Sequence, residues 1–198
     1  VPEEESILQR GLEAFAELGY EHASARELAR VSHNFINDRY GSKLAFWCAV
    51  VDSALEAQLA RLPQVDPTLD DAERLRQLIT GFYLTAAGTP RIDRIMLDEL
   101  SRDTERLDYL YERYIAPTLQ VMMQNIEPLV ASGRMAPIPM DVLFFAVIPP
   151  VSGIVEGPLA RRMGRHVPVS SEQLTATATS LAEIVVNGLL GTSAARRR

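Results

Sequence analysis

The chain has 198 residues, 47% of them hydrophobic and 23% charged, the make-up of a globular protein able to bury a sizeable core. Its net charge of −6 and pI near 5.2 exclude a protein that coats nucleic acid non-specifically, though not one with a small, local binding surface. One cysteine, Cys48, excludes an internal disulfide framework, and no uninterrupted apolar run reaches the roughly 18–20 residues of a membrane span. The opening VPEEESILQR carries acids where a secretory signal has basic residues, so the expected location is the cytoplasm, with no membrane partner.

Helical spacing runs through the whole chain and period-2 alternation is absent, so the expected fold class is all-α. Ile7, Leu8, Leu12, Phe15 and Leu18 form a first apolar stripe, with Glu3 to Glu5 at the end where a helix favours negative charge. Gly19 supplies its stop. Ser24 is the N-cap expected of a second short helix, and Glu27 completes a capping box. A third short helix is expected from Ser32 to near Gly41. Tyr20 is expected to pack this small region.

Longer helices follow. Trp47, Val50, Val51, Ala54, Leu55, Leu59 and Leu62 make one stripe, ended by the Pro63–Pro67 segment. Leu75, Leu78, Ile79, Phe82, Tyr83 and Ala86 make the next, closed by Gly88 and Pro90. Ile92, Ile95, Met96 and Leu100 mark a third. The longest carries Leu107, Leu110, Tyr111, Tyr114, Ile115, Leu119, Met122, Ile126 and Leu129, and Pro117 inside it is expected to kink it. A helix over about Met140 to Arg161, interrupted at Pro149-Pro150, is apolar nearly all round and is expected to be buried on more than one side. Leu174, Leu181, Ile184, Val185 and Leu189 mark the last helix, ahead of a solvated Arg196–Arg198 tail.

Three short helices, the third of them polar, are the layout of a helix-turn-helix DNA reader. The segment SHNFINDRYGSK, Ser32 to Lys43, concentrates hydrogen-bonding side chains and ends in the only lysine of the chain. From Arg26 to Lys43 there are four basic residues (Arg26, Arg30, Arg39, Lys43) against two acids (Glu27, Asp38), a locally positive stretch in an acidic protein. Ser42 is a natural N-cap, which puts Lys43 in the first turn of the following helix. A cation there opposes the helix dipole at a cost of a few tenths of a kcal/mol, roughly. A bound phosphate reverses that sign, because amide groups and lysine then converge on one anion.

The long helices carry Phe82, Tyr83, Met96, Tyr114, Met122 and Phe145, which are either plain core or the wall of a cavity left by proline-bent helices. Glu99 lies on the apolar side of its helix, where it either reaches solvent from the edge of the stripe or is buried and needs a partner, from Arg102, Tyr109, Tyr114 or a polar ligand atom. His22, His33 and Cys48 have no metal-site spacing, so no metal is expected. The three histidines stand beside no plausible nucleophile and there is no Gly-rich phosphate loop, so no enzyme and no cofactor is expected.

The string ILQRGLEAFAELGYEHASARELA followed by VSHNFINDRYGSK resembles the N-terminal domain of TetR-family transcriptional repressors. The resemblance covers residues 7 to about 52 and rests on the Phe15–Gly19-Tyr20 helix end, the Ser24 cap, Leu28-Ala29, Val31-Ser32 and the Tyr40-Gly41-Ser42-Lys43 ending. It implies a helix-turn-helix domain over 1–43 and a helical effector-binding and dimerisation domain over 44–198. Ser32 to about Tyr40 would be the recognition helix, and the DNA-contact set would be Ser24, Arg26, Ser32, His33, Asn34, Asn37, Arg39, Tyr40 and Lys43. Phe82, Tyr83, Met96, Glu99, Tyr114, Met122 and Phe145 would form the effector pocket, with Glu99 as its polar anchor.

The function so implied is a one-component homodimeric repressor, released from palindromic double-stranded operator DNA by a small, largely apolar ligand. The 140–161 helix and the final helix would pair with their copies at the dimer seam. Alternatives are a ligand-binding dimer with impaired DNA binding, or a small helical enzyme. Three departures from the family pattern stand out. Asn37 replaces a frequent aromatic, and Asp38 places an anion near the phosphates unless it points away or pairs with Arg39. The turn between Ala29 and Val31 is also about three residues short. The expectation from that short turn, and from the lack of an initiating methionine, is that natural residues are missing between Arg30 and Val31. Their Cα atoms would then lie well beyond ~3.8 Å.

Overall fold

The computed structural model describes residues 2–24, 35–155, 157–165 and 169–195. The expected second helix beyond Ser24, the residues Arg26, Ser32, His33 and Asn34, the Arg30–Val31 junction and the Arg196–Arg198 tail lie outside the described residues.

Every regular element among the described residues is helical. They are α1 (Pro2–His22), α2 (Phe35–Tyr40), α3 (Lys43–Leu59), α4 (Asp71–Ala87), α5 (Pro90–Glu99) and α6 (Glu105–Leu110). A π turn (Tyr111–Ile115) leads into α7 (Ala116–Ala131), and α8 (Met140–Val147) precedes a 3-10 turn (Pro149–Val151). The short α9 (Ser152–Val155) and α10 (Gly157–Arg162) come before α11 (Ser171–Ala195). The chain forms two compact units, Val1–Arg61 with Thr89–Tyr111, and Leu62–Gly88 with Glu112–Arg198.

In the first unit α1 packs on α3 and α5, and α2 packs on α3. Gly11 permits the close approach of α1 to α3: a Cβ there would lie 2.7 Å from Val50 Cγ2 and 2.8 Å from Phe46 Cζ. Gly19 takes φ +73°, the left-handed conformation that suits glycine, and breaks α1 where the sequence places its stop. The turn beyond it brings Tyr20 back onto the core, stacked on Phe15 with ring centroids 5.9 Å apart and edge-on to Trp47 at 6.5 Å. Ile7, Phe15, Ile36, Phe46, Trp47, Val50, Val51, Ile92 and Leu110 are buried. Leu18, the last residue of the expected first stripe, is exposed.

In the second unit α4 packs on α11 and α7. Leu75, Ile79, Tyr83 and Ala86 of α4 are buried, as are Ala178, Ala182, Val186 and Leu189 of α11. Asp70 caps α4, accepting from the Ala72 N–H at 2.7 Å, and Arg134 Nη2 donates to the same carboxylate oxygen at 3.2 Å. The single π turn stands just ahead of Pro117, whose missing N–H and bulky ring disturb the bonds of the preceding turn.

The expected 140–161 helix is instead a series of short pieces. Pro149 and Pro150 offer no N–H to Phe145 and Ala146, and the Val151 N–H bonds to Ile148 O at 3.1 Å rather than continuing the α pattern. The Val147 carbonyl left over accepts from the Tyr83 hydroxyl at 2.7 Å. Nor is this stretch buried all round, since Met140, Val142, Phe145 and Leu159 are exposed. The span 171–191, with a mean hydropathy of 1.3, is long and apolar enough to cross a membrane by length and composition. The sequence conceals this because Thr, Ser, Asn and two glutamates interrupt the apolar residues.

Candidate nucleic-acid interface

The described part of the expected recognition helix is α2. Ile36 is its buried anchor, while Asn37, Asp38 and Arg39 are all exposed. Gly41, at φ +82°, ends the helix. Ser42 then caps α3, its hydroxyl accepting from the Ala45 N–H at 3.0 Å, which places Lys43 in the first turn as its sequence position implies. Tyr40 is half-buried, its ring edge-on to Phe46 at 4.8 Å, so this aromatic fastens α2 to α3. Asp38 does not take Arg39: Arg39 Nη2 pairs with Glu4 Oε2 of α1 at 3.0 Å. Ser24 is exposed beyond the end of α1.

Lys43 lies against the end of α1. Its Nζ donates to the Glu21 carbonyl at 3.4 Å and sits 4.6 Å from the centre of the Tyr20 ring. Burial holds its ammonium below the usual lysine range, opposed by the Glu21 charge and reinforced by Arg106.

Arg106 of α6 reaches the same place. Its guanidinium carbon lies 3.8 Å from the Tyr20 ring centre. Its Nε donates to Glu99 Oε1 at 2.9 Å and its Nη2 to Glu21 Oε1 at 3.4 Å. The second Glu99 oxygen accepts from the Thr104 hydroxyl at 3.2 Å, and that hydroxyl also caps α6 by accepting from the Leu107 N–H. Burial alone would lower the Arg106 pKa, but the hydrogen bond and charge of Glu99, then Glu21, raise it.

The expected partners of Glu99 are thereby corrected. Arg102 pairs with Asp98, the Tyr109 hydroxyl donates to both oxygens of Asp52 at 2.7 and 2.8 Å, and the Tyr114 hydroxyl accepts from Arg113. With its carboxylate filled by Arg106 and Thr104, and with 2% exposure, Glu99 is not placed as a ligand anchor.

The other effector candidates fall into two groups. Met96 belongs with Glu99 to the first unit, and Phe82, Tyr83, Tyr114, Met122 and Phe145 belong to the second. Tyr83, Tyr114 and Met122 are buried and Phe82 is half-buried. The Tyr83 hydroxyl is committed to Val147, and burial drives its pKa well above the usual phenol range. Phe145 is 64% exposed, its ring edge-on to Phe144 at 5.3 Å, and is not buried with the other second-unit candidates.

One polar cluster was not legible in the sequence. Gln58 Nε2 donates to both oxygens of Asp93 at 3.2 Å and to the Thr89 hydroxyl oxygen at 2.9 Å, all within the first unit. Burial pushes the Asp93 carboxyl up to about 6, against the bonds from Gln58 and Thr89. Among the described residues, no three His, Cys, Asp or Glu side chains gather as metal ligands would.

No family model and no curated protein sequence matches the chain. Solved structures do match along nearly its whole length. The ketosteroid transcriptional regulator KstR2 of Mycobacterium tuberculosis aligns at 18% identity over 93% of each chain, with a TM-score of 0.69. The fatty acid degradation regulator FadR from Bacillus halodurans aligns at 14% identity over 93% of this chain and 98% of its own, with a TM-score of 0.67. A TetR-like transcriptional regulator from a Rhodococcus species aligns at 16% identity over 96% of each chain, with a TM-score of 0.66. The chain therefore has the fold of TetR-family regulators, an N-terminal helix-turn-helix domain followed by a C-terminal helical domain.

Proposed function

We propose that this chain is a one-component transcriptional regulator that acts in the cytoplasm as a homodimer, binding palindromic operator DNA as a repressor and releasing it when a small, largely apolar ligand binds. The single observation that carries this reading is the polar, exposed α2 ending in Gly41, Ser42 and Lys43 on a fold shared with DNA-binding regulators. Residues 1–43 act as the DNA-reading head and 44–198 as the effector-binding and dimerising body. Asn37 reads bases from α2, joined by Ser32, His33 and Asn34, while Ser24, Arg26, Arg39 and Lys43 serve the phosphate rim. Tyr40 contributes by holding α2 in place. Phe82, Tyr114 and Met122 are the side chains offered to the ligand within the second unit, and Met96 within the first. Two of the solved relatives are named for ketosteroids and for fatty acid degradation, which suits an apolar ligand.

The test is selection of a duplex from a random pool, followed by gel shift. Lys43→Ala should weaken binding about equally for all sequences and lower the salt slope by about one. Asn37→Ala should instead relax preference at particular bases, by ~1–3 kcal/mol for a bidentate contact. A second reading, a ligand-binding dimer with impaired DNA binding, is favoured by the exposed Asp38 and by Arg39 being held by Glu4. It takes over if no duplex is enriched.

A further inference from the structure

We propose that Arg106, a residue outside the DNA-reading head, is a positioning residue for DNA binding: by holding the Glu21 carboxylate it keeps the Lys43 ammonium available to a DNA phosphate. The inference rests on the reading of Lys43 as a phosphate contact. Glu21 meets two cations through two different groups. Its carbonyl oxygen accepts from Lys43 Nζ at 3.4 Å, while its carboxylate accepts from Arg106 Nη2, also at 3.4 Å. The difference matters because a carbonyl carries no net charge and occupies one of the three ammonium donors. Two donors and the full positive charge are left for an anion.

A carboxylate in the same place would neutralise the lysine and compete with phosphate. Glu21 is the residue whose negative charge acts on Lys43, and its side chain is 64% exposed, with room to turn toward the ammonium if nothing holds it. What holds it is a guanidinium that cannot follow. Arg106 is 6% exposed, fixed by Glu99 at 2.9 Å and laid over the Tyr20 ring at 3.8 Å. The same Tyr20 ring takes Lys43 at 4.6 Å, so both cations meet one ring, and Arg106 claims the carboxylate. α6 thereby sets the charge at the start of α3.

The experiment measures affinity by fluorescence anisotropy for a labelled duplex selected by the wild-type protein, across 50–200 mM KCl, roughly the range over which phosphate contacts are read. Arg106→Met should weaken binding about three- to tenfold at the low-salt end and make the log–log salt slope shallower by about one, as Lys43→Ala does. Glu21→Gln in the same chain should restore both, since the competing carboxylate is gone, and Glu21→Gln alone should leave binding at least as tight as wild type. A merely structural role for Arg106 would not be repaired by a change at Glu21.

Because Arg106→Met leaves Glu99 buried without its cation, the same rescue is read in Glu99→Gln/Arg106→Met, with circular dichroism confirming the fold. Failure of Glu21→Gln to rescue, or a salt slope unchanged by Arg106→Met, overturns the proposal. So does a Glu99→Gln/Arg106→Met protein that is unfolded at the assay temperature, which would make Arg106 a residue of stability. If Lys43→Ala itself leaves the slope unchanged, the reading of Lys43 falls instead.

Discussion

The two compact units differ in what they hide. The first buries polar groups: Gln58, Asp93, Glu99 and Arg106, the buried polar and charged residues among those described, all belong to it. The second buries apolar side chains around α4 and leaves others uncovered, among them Val121, Met140, Val142, Phe145, Leu159, Met163 and Ile184. Apolar contact is non-directional, whereas a buried ion pair or amide–carboxylate contact tolerates few arrangements of its helices. The first unit is thus built to hold one arrangement of α1, α3, α5 and α6, and its polar contacts end beside Lys43.

The largest effect should come from cutting the Glu99–Arg106 pair. Arg106→Met leaves a buried carboxylate with only the Thr104 hydroxyl, a loss of about 3–5 kcal/mol in urea unfolding followed by circular dichroism. Replacing both, as Glu99→Leu/Arg106→Met, should cost less than either single change, because no charge is left stranded. A single change that costs under ~1 kcal/mol would remove the distinction drawn between the units.

The Asp93 cluster should give a smaller, pH-dependent effect. Its carboxyl is raised from 3.8 to about 6 in the folded chain, so between these values the folded state holds more protons than the unfolded one. Stability contributed by Asp93 is therefore full below about pH 4 and is lost as pH rises through about 6. Asp93→Asn keeps an acceptor for Gln58 and cannot ionise. It should be more stable than wild type at pH 7, by up to about 3 kcal/mol, with the two denaturation curves converging below about pH 4.

One substitution made in both units tests whether they also melt apart. Ala at Gly11 would press its Cβ on Val50 and Phe46 of the first unit. Ala at Gly81 would press on Pro63 Cγ at 2.5 Å in the second, against a ring with no rotamer to retreat to. Each should cost about 1–3 kcal/mol from overpacking, offset in part by the helix propensity gained, so Gly81→Ala should lose more. Calorimetry should show Gly11→Ala lowering a transition that Gly81→Ala leaves in place. A single transition shifted equally by both would mean that the units unfold as one.

The local features of this fold were legible in the sequence because they depend on neighbours along the chain. The helical stripes, the stop at Gly19, the Ser42 cap and the disturbance near Pro117 all follow from periodicity and backbone chemistry. That Glu99 would need a partner if buried was legible too, but its burial and its partner were not. α5 ends at Glu99 and the chain restarts at the Thr104 cap, so Arg106 is turned back onto Glu99 while Arg102 goes to Asp98. Gln58 and Asp93 are 35 residues apart, and only packing brings them together. The exposure of Phe145 was not legible for the opposite reason: an aromatic in an apolar run gives no sign of which side faces out.

The smallest effect on stability is expected where the second unit is uncovered, and there it is the most telling. Phe145 is 64% and Ile184 69% exposed, so Phe145→Ser and Ile184→Asn remove few contacts made within the chain. In an isolated chain each should shift stability by no more than about 0.5 kcal/mol. If the uncovered face is instead the dimer seam, a second copy buries these side chains, and mass action makes the wild-type melting temperature rise with protein concentration. The double variant should abolish that concentration dependence and sediment as a monomer, while keeping the low-concentration melting temperature of the wild type. A wild-type melting temperature that does not change with concentration, together with a monomer in sedimentation, would leave the uncovered face without a second copy and the homodimer without its seam.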